Sequence, residues 1–241
     1  SGANTKLEFH VLNKPTVSNG SARTVSPGET LFSGATQASA TAGSGRVFMK
    51  VFSSTATNMR VVGGAGQKAF WVFGTNHDWQ WSPDEPQPRP TSDFEDVPYG
   101  QWRIELEPAD TGLAHTFLTV LQPTMSNTAA MTPTATLASS ANVQAMHIKD
   151  PAGARVVVFS KSQSGAVPAG EINYTVPAAA GASVGSLVFD LAPGAWYRVV
   201  TAASTGGVAG MSIRLLPTSG PGAGVVQANS AGVLQLTSRL P

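Results

Sequence analysis

Short runs in which apolar and polar residues alternate, each closed by glycine or proline, do most to narrow the folds open to this chain. Leu7-Glu-Phe-His-Val-Leu12 alternates, and Arg46-Val-Phe-Met-Lys-Val-Phe52 does so less cleanly. Trp102-Arg-Ile-Glu-Leu-Glu107 puts Trp102, Ile104 and Leu106 on one face and Arg103, Glu105 and Glu107 on the other. Successive side chains of a strand point to opposite faces, so this spacing describes strands with one buried and one wet face. Ala114-His-Thr-Phe-Leu-Thr-Val-Leu121 and Arg155-Val-Val-Val-Phe-Ser160 are more continuously apolar and read as buried strands. The second half continues with Glu171–Val176, Ser186–Leu191, Trp196–Thr201, Met211–Leu216 and Gly232–Thr237. Turn signals fall between them at Gly63-Gly64, Asp150-Pro151, Pro193-Gly194, Gly206-Gly207 and Pro221-Gly222. Pro193-Gly194 suits a type II turn, in which proline sets φ at the second residue and glycine accepts a positive φ at the third. No useful helical apolar period occurs. The expected fold is all-β, built from antiparallel β-sandwich layers, with two stacked β units.

Composition excludes several classes. The chain has 241 residues, a formal net charge of +1 and no cysteine. A near-zero charge without Lys/Arg clusters gives no electrostatic footprint for nucleic acid. Without cysteine there is no disulfide framework, thiolate metal site or cysteine nucleophile. No run approaches the roughly 18 apolar residues of a transmembrane helix. Strand-like sequence begins almost at once after Ser1, which suggests the C-terminal portion of a longer protein. A secreted or periplasmic bacterial protein is expected.

Two stretches depart from the strand pattern. Residues 82–98 are rich in proline and acid and read as a surface loop, because proline cannot donate to a sheet ladder. Residues 122–141 are rich in Thr, Ala, Ser and Pro and mark a soft boundary. The expected organisation is a β-sandwich layer over 1–125, a linking loop over 126–141 and a smaller β-sandwich over 142–241.

Four segments together resemble the C-terminal β region of heparinase II/III-like polysaccharide lyases. They are Thr5–Val17, with its Lys-x-aromatic/Leu-x-x-His-like run leading to Pro-x-Val, and Gly43–Val51, with a Gly-rich start to an apolar strand. The others are Val61-Val-Gly-Gly-Ala-Gly followed by Phe70-Trp-Val72, and Trp102–Pro108 followed by Phe117-Leu-Thr-Val-Leu121. The order and spacing cover roughly residues 5–125, and Leu187–Val199 is similar to the closing strands more loosely. The resemblance implies a non-catalytic C-terminal portion of a lyase that cleaves acidic polysaccharide by β-elimination. Its partners would then be a polysaccharide and an upstream catalytic domain. The family's catalytic groups precede the matching segments, so no catalytic residue is carried over and no cofactor is expected.

Among residues that could carry chemistry, His10, His77, His115 and His147 show no close ligand spacing. A zinc site needs three or four convergent ligands, so no metal site is assigned and His10 and His115 are read as structural strand residues. Trp71–Trp81 is the most aromatic segment, and Trp79 and Trp81 share a face if it is extended. Aromatic faces stack on sugar C–H faces while Asn76 and Gln80 can bond hydroxyls, so these four form a candidate substrate-binding platform. The competing reading places Trp71, Trp79 and Trp102 in the core, where aromatic burial is largest. Asp78, Asp84, Glu85, Asp93, Glu95 and Asp96 concentrate acid nearby, without the Asp-x-Asp-x-Asp-Gly pattern of a calcium loop. Such a loop would repel an acidic polysaccharide. The alternative function is a stand-alone carbohydrate-binding or surface-adhesion module.

Overall fold

A computed structural model describes residues 6–52, 57–64, 71–72, 75–76, 102–112, 115–150, 153–162, 167–168, 170–177, 182–204 and 210–239. The described residues contain strands and no helix, and the chain divides into two compact units, Ser1–Met131 and Thr132–Pro241.

In the first unit, one sheet is built from β1 (Leu7–Val11), β10 (Trp102–Pro108), β7 (Thr57–Gly63), β4 (Glu29–Ser33) and β3 (Ser21–Ser26), in that spatial order. A second sheet has the order β11 (Thr119–Met125), β6 (Gly45–Val51), β5 (Gln37–Ala42) and β2 (Thr16–Val17). All these pairings are antiparallel. The short strands β8 (Trp71–Val72) and β9 (Thr75–Asn76) form a separate hairpin. Alternation decides which residues meet between the two large sheets. Ala38, Met49 and Val51 from one and Met59, Ile104 and Leu106 from the other make a single buried cluster, with Phe9, Phe32 and Phe117 packed against it.

The second unit repeats the two-layer principle with different connections. One sheet runs β12 (Thr134–Leu137), β13 (Val143–Asp150), β14 (Gly153–Ser160), β16 (Ser183–Val188), β20 (Leu234–Arg239). The other runs β15 (Ile172–Val176), β18 (Met211–Thr218), β17 (Trp196–Ala203), β19 (Val225–Gln227). Val143, Ala145, Val156, Val158, Val184 and Leu234 of the first sheet meet Ile172, Tyr174, Tyr197, Ile213 and Leu215 of the second in one core. The expected turn at Pro193-Gly194 is present: Gly194 has φ 73° and the Ala195 amide donates to Ala192 O at 3.1 Å.

The structure departs from the sequence reading at several points. β14 and β16 run parallel, because the intervening β15 belongs to the other sheet. The stretch read as a loop over 126–141 contains β12, which pairs with β13 from Thr134↔Ile148 to Leu137↔Ala145. The run read as a buried strand over 114–121 becomes a strand only at Thr119 and continues to Met125. His115 therefore lies outside a strand, and its Nε2 is 2.7 Å from Gly112 O. Leu121 is 49% exposed and Met125 60%, on β11, which is an edge strand of its sheet among the described residues.

The wet face expected for β10 is also largely buried. Arg103 is 6% exposed and Glu105 2%, whereas Trp102 is only half-buried. The charges tolerate burial because they are paired. Arg103 Nε donates to Glu105 Oε1 at 2.6 Å, and Lys6 Nζ lies 2.9 Å from both Glu105 Oε1 and Glu8 Oε1. Arg60 on the adjacent strand grips Glu107 with two bonds of 2.8 and 3.1 Å and also bonds Glu29. Those carboxylates, Glu107 foremost, raise the Arg60 pKa against the opposing effect of burial.

Candidate functional site

The most site-like feature of the described residues is a polar trough on the outer face of the first unit's four-stranded sheet. It arises from the alternation in Gln37-Ala-Ser-Ala-Thr-Ala42. Ala38 and Ala40 turn inward and are buried, which leaves Gln37, Ser39 and Thr41 on the outer face. Register then assembles the neighbours. Thr16 of β2 lies opposite Ser39, while Phe48 and Arg46 of β6 lie opposite Ser39 and Thr41. With Lys14 and Ser18 beside β2, and Ala129 and Ala130 from the segment after β11, these residues line a space of about 400 Å³. That falls within the range of small-ligand sites, about 300–1,000 Å³.

Several contacts fix the walls. Asn13 Nδ2 donates to Thr41 O at 2.8 Å, which ties the Lys14 segment to β5. Asn19 Oδ1 accepts from the Thr36 and Gln37 amides at 3.0 and 3.2 Å, and its Nδ2 donates to Thr36 Oγ1 at 2.9 Å. Arg46 is held on three sides. Its Nε donates to Thr41 Oγ1 at 3.0 Å, its Nη1 donates to Thr128 O at 2.5 Å, and the guanidinium sits 5.5 Å from the centre of the Phe48 ring. Lys14 Nζ lies 5.5 Å from the centre of the Trp102 ring.

The charge of the trough is one-sided. Among the described residues its lining includes Lys14 and Arg46 and no Asp or Glu. Among the described residues neither cation is paired with a carboxylate, unlike Lys6 and Arg60 on the opposite sheet. The arrangement offers hydroxyls, one amide and two cations to a ligand. A second, smaller space of about 110 Å³ lies between the two sheets. It is lined chiefly by Phe9, Val11, Val47, Met49, Ile104 and Leu121, and its apolar walls suit packing more than recognition.

Most of the residues read from sequence as a sugar platform lie beyond what the structure describes. Trp79, Gln80 and Trp81 lie outside the described residues, as do Asp78 and the acidic positions 84–96. For Asn76 the backbone is placed, opposite Trp71 in the β8–β9 hairpin. His10 lies on β1 and His147 on β13. Among the described residues no group of three or more His, Cys, Asp or Glu is placed to hold a metal ion. Sequence reasoning missed the trough. The available signal was the alternation of alanine with Gln37, Ser39 and Thr41, which is weaker than an aromatic run because alanine marks no core strongly. No protein-family model matches this chain, and no curated protein matches it in sequence.

Proposed function

We propose that the chain is a non-catalytic, glycan-contacting β-sandwich portion of a heparinase II/III-like polysaccharide lyase, acting beside a catalytic domain in a secreted or periplasmic bacterial protein. The observation that carries this reading is the hydroxyl-lined trough over β2, β5 and β6. Neutral hydroxyl and amide groups spread over an open sheet face match the many weak polar contacts of a sugar chain. The all-β, two-unit architecture and the resemblance over residues 5–125 support the same assignment. The buried carboxylate of this unit, Glu105, is already neutralised by Arg103 and Lys6, which suits a structural task more than proton transfer. Trp79 and Trp81, with Asn76 and Gln80, are proposed as a second contact on the same polysaccharide.

The experiment is direct. The purified chain should produce no unsaturated-uronate absorbance from alginate or glycosaminoglycan, yet migrate more slowly through native gels cast with its polysaccharide. Replacing Trp79 and Trp81 together with alanine should weaken that retardation about tenfold while leaving the melting temperature in place. Lyase activity of the chain alone would refute the non-catalytic assignment. Unretarded migration across neutral and acidic polysaccharides would refute glycan contact.

A further inference from the structure

We propose that the space between the two sheets of the first unit is a binding slot for a small apolar molecule, on the scale of about one aromatic ring. The inference is independent of the glycan-contacting reading, which concerns the outer face of the four-stranded sheet. The slot follows from the sequence of β5. Its inward residues are Ala38 and Ala40, whose short side chains leave room in front of the facing sheet. Across the gap stand Phe9 of β1 and Ile104 of β10, paired in register. Ala38, Met49 and Leu121 line up as one row over β5, β6 and β11. Together these residues border a space of about 110 Å³. Protein interiors pack as densely as organic crystals, with few voids larger than a water molecule, so a gap of this size exceeds ordinary packing slack.

The chemistry of the walls selects the guest. Among the described residues the lining has no Asp, Glu, Lys or Arg. Its polar members, His10 and Ser39, alternate outward on their strands, away from the phase of Phe9 and Ala38. A polar guest would give up its hydration and find no partner, a cost that an apolar guest does not meet. The walls therefore pack against a guest rather than read it. Size sets the other limit. An apolar cavity of about 150 Å³ lined by Leu, Ile and Phe stays dry and takes benzene. The slot here is somewhat smaller and has the same kind of wall, and Met49 can adjust to a guest because its thioether chain is unbranched and polarizable. Entry is at the edge of the sandwich. Leu121 lines the slot and is 49% exposed, so the slot meets solvent beside β11.

The test is a magnetic-resonance titration of the full chain, carrying isotope-labelled methionine methyls, with benzene and with pyridine, a polar ring of similar size. The Met49 methyl resonance should shift progressively with benzene and saturate, while those of Met146 and Met211, buried in the second unit, stay in place. Pyridine at the same concentrations should leave all of them unmoved. Because benzene binds the folded state, it should also raise the melting temperature. Ala40→Leu fills the slot and should weaken benzene binding by about tenfold or more. The titration of the unaltered chain is decisive even where that variant fails to fold. An unmoved Met49 methyl up to the solubility limit of benzene would overturn the proposal. Equal shifts at Met49, Met146 and Met211 would mark a general solvent effect and overturn it too. A pyridine response equal to that of benzene would overturn the apolar selectivity. Full benzene affinity in a folded Ala40→Leu chain would place the guest outside the slot and sink the proposal. Each of these failures leaves the glycan-contacting reading standing, because that reading rests on the outer face.

Discussion

Arg103 and Glu105 show how far a strand can depart from a simple wet face. Both alternate outward on β10, yet both are buried, and the energetics turn on pairing. A buried ion pair gains little over an apolar pair of the same shape, but breaking one leaves a charge stranded in low dielectric. Glu105 holds Arg103 at 2.5–2.6 Å and Lys6 at 2.9 Å, so its loss takes a carboxylate from two cations at once. Glu105→Ala is expected to destabilise the first unit by about 3–5 kcal/mol, the range for removing one partner of a buried pair. Denaturant unfolding followed by tryptophan fluorescence measures it, and a loss below about 1 kcal/mol would show that solvent reaches the network.

Among the described strands, β11 combines an edge position with exposed apolar side chains. It ends its sheet, and it carries Leu121 and Met125 half or more exposed. A free apolar edge is a template for another strand. The hydrogen-bond phase shows how this one is blunted. Ser126 N donates to Ser44 O and Phe52 N to Leu118 O, so residues 118, 120, 122, 124 and 126 bond toward β6. Pro123 falls in the other phase, so the N–H it lacks would have pointed to the free edge. Pro123→Thr should leave the β6 pairing intact and restore an outward donor. Light scattering after size exclusion should then show concentration-dependent dimers or larger species. A monodisperse variant across the accessible concentration range would remove this role from Pro123. β3, at the far side of the other sheet, has a register shift between Thr24 and Ser26, another way of spoiling an edge.

At the scale of the whole molecule there are two cores, each closed within its own pair of sheets. Each core combines residues from both layers, so residues 132–241 should fold as a separate fragment with a cooperative melt. That fragment should also be acid-sensitive. His147 is buried on β13, and burial, helped by Lys149, lowers its pKa below the usual 6.5. A lowered folded-state pKa means that the unfolded chain binds the proton first. The stabilisation is therefore fully present above pH 6.5 and is lost as pH falls toward the folded value. Melting temperatures of the fragment should drop from pH 7 toward about pH 5, above the range where most carboxylates titrate. His147→Gln should flatten that slope. An equally steep slope in the variant would assign the acid sensitivity to other groups.

The sequence by itself determined the class of fold and much of the strand inventory, because side-chain alternation is local. β1, β6, β10, β14, β17 and β18 all overlap runs legible as strands without any partner in view. The Pro193-Gly194 turn was legible for the same reason, since both residues act on their own dihedrals. The less apolar strands were harder to read. β5 is built from Gln, Ala, Ser and Thr, and β12 from Thr, Ala and Leu; small side chains lend themselves to a strand or a loop until a neighbour supplies the ladder. Only the tertiary structure decided that Arg103 and Glu105 are buried, that Leu121 is exposed, and that β14 lies parallel to β16. It also brought Lys14, Ser39 and Arg46 onto one face without a carboxylate among them. Each of these depends on which distant strand becomes the neighbour and in what register. Alternation along one strand says which residues share a face, and only the pairing of strands says what that face will meet.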